Sequence, residues 1–326
     1  MVLAVFLFAV GLVLLIKGGD WFVDGATGIA HRFHVPEILI GATVVAIGTT
    51  LPEVMVSATS AVSGHGEIAY GNALGSIICN TALIAAIVIA VRPSDVDKKA
   101  LRTPVIFFFC AAALYLVAAY VFGAFSRVIG LLMLLIFVLY TVLTVRQALT
   151  APKLPEQPSE EQSDEPEEEK SLWKDILLLV IGAALIAVGA NLLVDNGTII
   201  ASALGVPESV IALTFVALGT SLPELVTAVT SLIKGHGALS LGNIIGANLF
   251  NLVLVSGVSV TLSPFAVPAS KLIGGMNASL ILDIPVMLCV MLLLTVPAMI
   301  RGKLRRWQGV TLLVIYAAFC TVQFLV

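Results

Sequence analysis

The chain repeats itself at a fixed offset of 171 residues. Residues 40–80 align with 211–251 without a gap, and 18 of the 41 positions are identical. The identities are not confined to Ala and Val, which a greasy composition would supply by chance. They include Thr43/Thr214, Pro52/Pro223, Glu53/Glu224, His65/His236, Asn72/Asn243 and Asn80/Asn251. Pro36-Glu37 and Pro207-Glu208 extend the match upstream, and Asp24/Asp195 extends it further. A fixed-offset repeat means two related structural units, so the fold must be read as a pair of halves.

Composition decides what solvent those halves meet. The chain is 59% hydrophobic and only 11% charged, against about 25% charged in a soluble domain. That composition belongs to a polytopic membrane protein, and a bilayer admits only helices or closed barrels. The apolar runs are long and do not alternate, which selects helices. Ten such segments can be drawn, at about 3–30, 37–62, 69–91, 102–122, 127–148, 173–203, 208–233, 240–262, 274–299 and 307–325. The first lacks a small-residue cleavage site and reads as a span rather than a removed signal peptide. Cys79, Cys110, Cys289 and Cys320 lie in apolar runs without ligand spacing and read as packing residues.

Between the fifth and sixth segments, residues 151–171 carry four prolines and eight Asp or Glu. This stretch cannot bury apolar surface and is expected to be a disordered tether. Lys and Arg fix the orientation. With the N-terminus outside, 14 of the basic residues fall in inner loops, and only Arg127 and Lys271 fall outside. Both termini are therefore expected outside a cell membrane, with the tether in the cytoplasm. Five segments per half is an odd number, so the second half enters from the opposite face. The expected fold is an all-α membrane protein with ten transmembrane helices in two inverted five-helix repeats. The first repeat is 1–150 and the second 172–326. Secondary transporters share this plan, with their sites at the midplane between repeats.

Chemistry concentrates in Gly48-Thr49-Thr50-Leu51-Pro52-Glu53 and its copy Gly219-Thr220-Ser221-Leu222-Pro223-Glu224. Each proline removes a backbone donor and is expected to break its helix near 46–48 and 217–219. Each half then offers freed carbonyls, two hydroxyls and one carboxylate. Asn72, Ser76 and Asn80 form a second polar stripe at i, i+4 and i+8, repeated as Asn243, Ala247 and Asn251. Asn72 and Asn243 read equally as interhelical glue or as site; Asn80 and Asn251 read as site. Such an all-oxygen set suits hard cations, Ca²⁺ or Na⁺, and lacks the thiolate or imidazole of Zn²⁺ or Cu⁺ sites. Two carboxylates match one Ca²⁺ or two Na⁺. Asp20, Asp24 and Asp195 are expected near a membrane interface. His65 and His236, in Gly-His-Gly turns, read as turn residues, with a proton sensor as the alternative. No Ser/Lys dyad, paired Asp motif or His-Glu-x-x-His is evident, so an intramembrane enzyme is not expected, nor is a bound cofactor.

These linked motifs, each present twice, resemble the Na⁺/Ca²⁺ exchangers of the calcium/cation antiporter superfamily, the archaeal members most of all. The resemblance spans essentially the whole chain. It implies that Ca²⁺ and Na⁺ compete for one cluster of ligands. Glu53 and Glu224 match the central carboxylates, and Thr49, Thr50, Thr220 and Ser221 the hydroxyls. Ala46 and Ala217 match the backbone-carbonyl ligands, Ser76 a serine ligand and Asn80 an amide. Asn251 stands where some relatives carry Asp, and Ala247 where many carry Ser, which bears on the Na⁺ count. The resemblance further implies that the first and sixth segments slide against the rest. The expected partners are the two cations and the lipid bilayer, with no nucleic acid and no obligate protein. H⁺/Ca²⁺ exchange, K⁺-dependent exchange and a cation channel are the alternatives. Proton/calcium exchangers usually show Gly-Asn-Ala-x-Glu at the repeated motif, which favours Na⁺ as counter-ion here.

Overall fold

The computed structural model describes residues 1–150, 172–204 and 219–325. The acidic tether at 151–171 and the first part of the seventh segment, 205–218, lie outside the described residues. The helical segments are α1 (Val2–Arg32), α2 (Glu37–Val62), α3 (Gly66–Val91), α4 (Lys98–Val121) and α5 (Arg127–Thr150). After the tether come α6 (Leu172–Ala203), α7 (Leu222–Ile233), α8 (Gly237–Leu262), α9 (Ser279–Arg301) and α10 (Arg306–Leu325). Among the described residues, eight helices are long and apolar enough to cross a membrane, α1 to α6, α8 and α9. The described part of α7 is a shorter apolar helix of 12 residues.

Helix α1 packs along α6 in an antiparallel seam made of glycine. A Cβ at Gly11 would sit 2.9 Å from the Gly189 carbonyl, and one at Gly18 equally close to that of Gly182. A Cβ at Gly25 would meet the Asp175 carbonyl at 2.5 Å. Small residues let helix backbones approach where lipid supplies no hydrophobic drive. The same device joins α2 to α8, where a Cβ at Gly41 would lie 2.4 Å from the Leu239 carbonyl.

Short pairings tie loops of the two halves together. The α4–α5 loop strand Ala124–Phe125 pairs antiparallel with Phe265–Ala266 of the α8–α9 loop. Asp95 bridges to Lys303 through the backbone and through an ion pair of 3.2 Å. A hairpin of Leu272–Ile273 and Met276–Asn277 precedes α9 and turns at Gly274 and Gly275, both at positive φ, where glycine carries no steric cost.

Two expectations change. Helix α2 is not broken near residues 46–48; it runs through Pro52, and its irregularity is a wide π-type turn one turn earlier, at Gly41–Val45. Proline deletes a single ladder bond, leaving the Gly48 carbonyl without its intrahelical donor, and packed neighbours keep the helix continuous. In the second half, Gly219–Ser221 form a turn ahead of α7, and residues 217 and 218 of the expected break lie outside the described residues. The cysteines also divide: Cys79 is buried and Cys320 half-buried, whereas Cys110 and Cys289 are exposed on the outer surface of the bundle, so packing does not describe the last two.

Candidate cation site

Helices α2 and α7 each carry one carboxylate into the centre of the bundle. Glu53 and Glu224 are fully buried, and neither carboxylate has a hydrogen-bond partner. They lie close enough to repel one another. Around them, Thr50 Oγ1, Ser221 Oγ and both amide atoms of Asn80 and Asn251 are buried without partners. Orphaned buried polar atoms cost on the order of 1–3 kcal/mol each, more when charged. So many in one place form a set of oxygen donors of the kind that hard cations take.

The local fold explains why these groups converge. Asn80 opens a π-type turn in α3 (Asn80–Ala85), and Asn251 opens the equivalent turn in α8 (Asn251–Val255). Such turns interrupt the regular ladder and recur at functional sites. The Asn80 turn packs against α7, which carries Glu224, and the Asn251 turn packs against α2, which carries Glu53. Each half thus adds its amide to the other half's carboxylate helix.

Hydrogen bonds cross the same way. Thr49 Oγ1 donates to Asn243 Oδ1 at 3.2 Å, and Thr220 Oγ1 donates to Asn72 Oδ1 at 3.3 Å. These two bonds are images of each other under the 171-residue offset. Asn72 Nδ2 donates onward to Ser57 Oγ at 2.8 Å and to the Glu53 carbonyl at 3.2 Å. Asn72 and Asn243 therefore brace the threonines from the facing half, the role of glue. The Thr49 side chain also neighbours the Glu224 carboxylate. Ala46 is buried and its carbonyl accepts from Thr49 Oγ1 at 3.4 Å; Ser76 is buried on α3. Ala217 lies outside the described residues.

Ser57, Thr227, Ser231 and Ser240 escaped the reading of the sequence. All four are fully buried, and the last three hydroxyls are without partners. Helical spacing could have found two of them, since Ser57 is i+4 from Glu53 and Thr227 is i+3 from Glu224. Outside this set, Asn248 donates to Thr81 Oγ1 at 2.7 Å and to Met291 Sδ at 3.2 Å. That cluster has no copy across the repeat, where Ile77 and Leu252 stand at the offset positions. The two histidines also part company: His236 Nδ1 lies 2.8 Å from Glu37 Oε1, joining the α7–α8 turn to the start of α2.

Known proteins share this architecture. The chain is 34% identical to the sodium/calcium exchanger MaX1 of Methanosarcina acetivorans, over 96% of each sequence. It is 37% identical to the putative antiporter CaxA of Alkalimonas amylolytica, over 100% of this chain and 99% of that one. The solved structure of the sodium-calcium exchanger NCX_Mj soaked with 10 mM Na⁺ superposes with a TM-score of 0.81 at 32% identity, over 97% of each chain. The family model described as sodium/calcium exchanger protein matches residues 3–146 and 174–325. With the family model covering both halves and the relatives covering nearly every residue, the chain belongs to the sodium/calcium exchanger family.

Proposed function

We propose that this chain is a secondary antiporter that exchanges Ca²⁺ for Na⁺ by alternating access. The observation that carries the reading is the cluster of buried, unpartnered oxygens around Glu53 and Glu224. Hard cations take such oxygens as ligands, and Ca²⁺ accepts six to eight of them in flexible geometry. Two carboxylates balance one Ca²⁺ or two Na⁺, so the two cations would compete for the same pair of charges. The ligands we assign are Glu53, Glu224, Asn80, Asn251, Thr49, Thr50, Thr220, Ser221 and Ser76, with the carbonyls of Ala46 and Ala217.

We read the chain as ten spans in two inverted halves, a plan that would put the site at the midplane. The crossed threonine–asparagine bonds and the matched glycine contacts of α1 and α6 are what a pseudo-two-fold axis would produce. The excess of Lys and Arg in alternate loops supports both termini outside and residues 151–171 in the cytoplasm.

The test is ⁴⁵Ca²⁺ uptake into proteoliposomes of the purified full chain, with Na⁺, K⁺ or H⁺ gradients imposed in turn. Uptake driven by an outward Na⁺ gradient alone is the expected result. Uptake that needs K⁺ as well, or follows only the proton gradient, would reassign the counter-ion. Single-channel currents would overturn alternating access itself.

A further inference from the structure

We propose that Lys234 is a positioning residue for transport: it locks the α1–α6 pair to the rest of the bundle at one end and leaves the other end free. The α1–α6 pair is one body. Its glycine seam brings backbone against backbone, and Arg32 on α1 pairs with Asp175 on α6 at 3.6 Å. The α7–α8 turn belongs to the remaining body. Arg92 at the end of α3 donates to the Leu232 carbonyl at 3.4 Å, and His236 joins Glu37 of α2. Lys234 reaches from that anchored turn to α1. Its Nζ lies 2.8 Å from Asp24 Oδ1 and 3.5 Å from Asp20 Oδ1, and it donates to the Asp20 carbonyl at 3.0 Å.

The repeat supplies an internal control. Offset by 171, Lys234 corresponds to Ser63, Asp20 to Asn191 and Asp24 to Asp195. Ser63 carries no charge, and among the described residues Asp195 has no ion pair. The antiparallel α1–α6 seam puts Asp24 and Asp195 at opposite ends of the bundle. The cavities differ in the same sense. A cavity of about 200 Å³ at the Asp195 end is lined by Ala190, Asn191, Asp195, Thr220, Pro52 and Pro223. At the locked end only about 10 Å³ remains between Phe22, Gly48, Thr49 and the same two prolines. The sequence thus adds, to a repeat that would otherwise favour neither end, a salt link that favours opening at Asp195. This rests on the alternating-access reading above.

The test follows a cysteine in the open cavity. Ala190→Cys is placed on the full-length chain with Cys79, Cys110, Cys289 and Cys320 replaced by alanine. Its labelling by a membrane-impermeant maleimide is timed in proteoliposomes without Ca²⁺. Lys234→Gln should slow labelling about two- to fivefold, the size expected of partly exposed ion pairs. Asp24→Asn should act in the same direction, and the double variant no further than Lys234→Gln. The exchanged pair Lys234→Asp with Asp24→Lys should recover part of the rate, and serves if Lys234→Gln fails to fold. Arg32→Gln, which breaks a contact inside the α1–α6 body, should leave the rate unchanged. Unchanged labelling in monodisperse Lys234→Gln, or equal slowing by Arg32→Gln, overturns the lock. Labelling needs no exchange, so a wild-type protein that moves no Ca²⁺ would sink the antiport reading while the lock is still judged.

Discussion

Glu53 and Glu224 end the same six-residue pattern, yet the helices that carry them are built differently. Helix α2 passes through Pro52 without stopping and bends earlier, at Gly41–Val45. Helix α7 starts beside its proline, after a turn at Gly219–Ser221, with Pro223 in its first turn. A proline in the helix interior removes a ladder bond, whereas a proline in the first turn removes a donor that had no intrahelical partner. Duplicated chemistry is therefore compatible with unequal backbones. What the repeat conserves is the set of groups delivered to the centre, and what it leaves open is which half bends to deliver them.

The sharpest test of that equivalence removes charge. Glu53→Gln and Glu224→Gln should each reduce Na⁺-driven ⁴⁵Ca²⁺ uptake by about a hundredfold or more, the scale of about 3 kcal/mol for unbalancing a buried charge. Folded yield should hold, because glutamine keeps the volume. Near-normal uptake in either variant would end the equivalence of the two carboxylates.

Backbone differences should appear next. Gly182→Ala places a Cβ 2.5 Å from the Phe22 nitrogen on α1. It should lower stability by about 1–3 kcal/mol, as overpacking does, and thermal denaturation would measure it. Gly64→Ala, at a positive φ of 83° with open space around it, would strain a turn but leave the helix seam intact; equal losses would deny the seam its special role. For the prolines, Pro52→Ala should lower uptake more than Pro223→Ala, by about tenfold against about twofold, if the free Gly48 carbonyl serves the ion. That spread corresponds to about 1 kcal/mol, a single hydrogen bond's worth. Equal effects would show that continuity of α2 is incidental.

The smallest expected change is a gain. Asn251→Asp adds a carboxylate beside two others and should tighten Ca²⁺ binding severalfold, on the order of 1 kcal/mol for charges at an effective dielectric well above that of a dry interior. It should also alter the response of Na⁺-driven flux to a valinomycin-set potential. Equal affinity and equal potential dependence would place Asn251 away from the ions.

Much of this was legible before any coordinates, for a physical reason. In a 59% hydrophobic chain, a carboxylate or amide within an apolar run is conspicuous because the bilayer penalises it, so Glu53, Glu224, Asn80 and Asn251 stood out, and the fold buries all four. Hydroxyls carry little such penalty, since they can bond back to the preceding turn. Thr43 does so with Leu39 at 2.7 Å and Thr295 with Met291 at 2.6 Å. Ser57 and Thr227 were therefore indistinguishable from these until their surroundings were known. The π-type turns at Asn80 and Asn251 have no composition signature and were not legible. Asp24 and Asp195 looked alike as interfacial acids. Only the fold brought Lys234, 210 residues away, to one of them.

The crossed bonds from Thr49 to Asn243 and from Thr220 to Asn72 bear on the history of the chain. Each half lends a hydroxyl to the other's amide and accepts one in return, so neither half is complete alone. A chain severed within 151–171 would yield two fragments, each holding half of a mutual obligation and each a template for the other. A substitution at any of the four positions changes the requirement on the opposite fragment. Each of these four positions therefore answers to the opposite half rather than to its own.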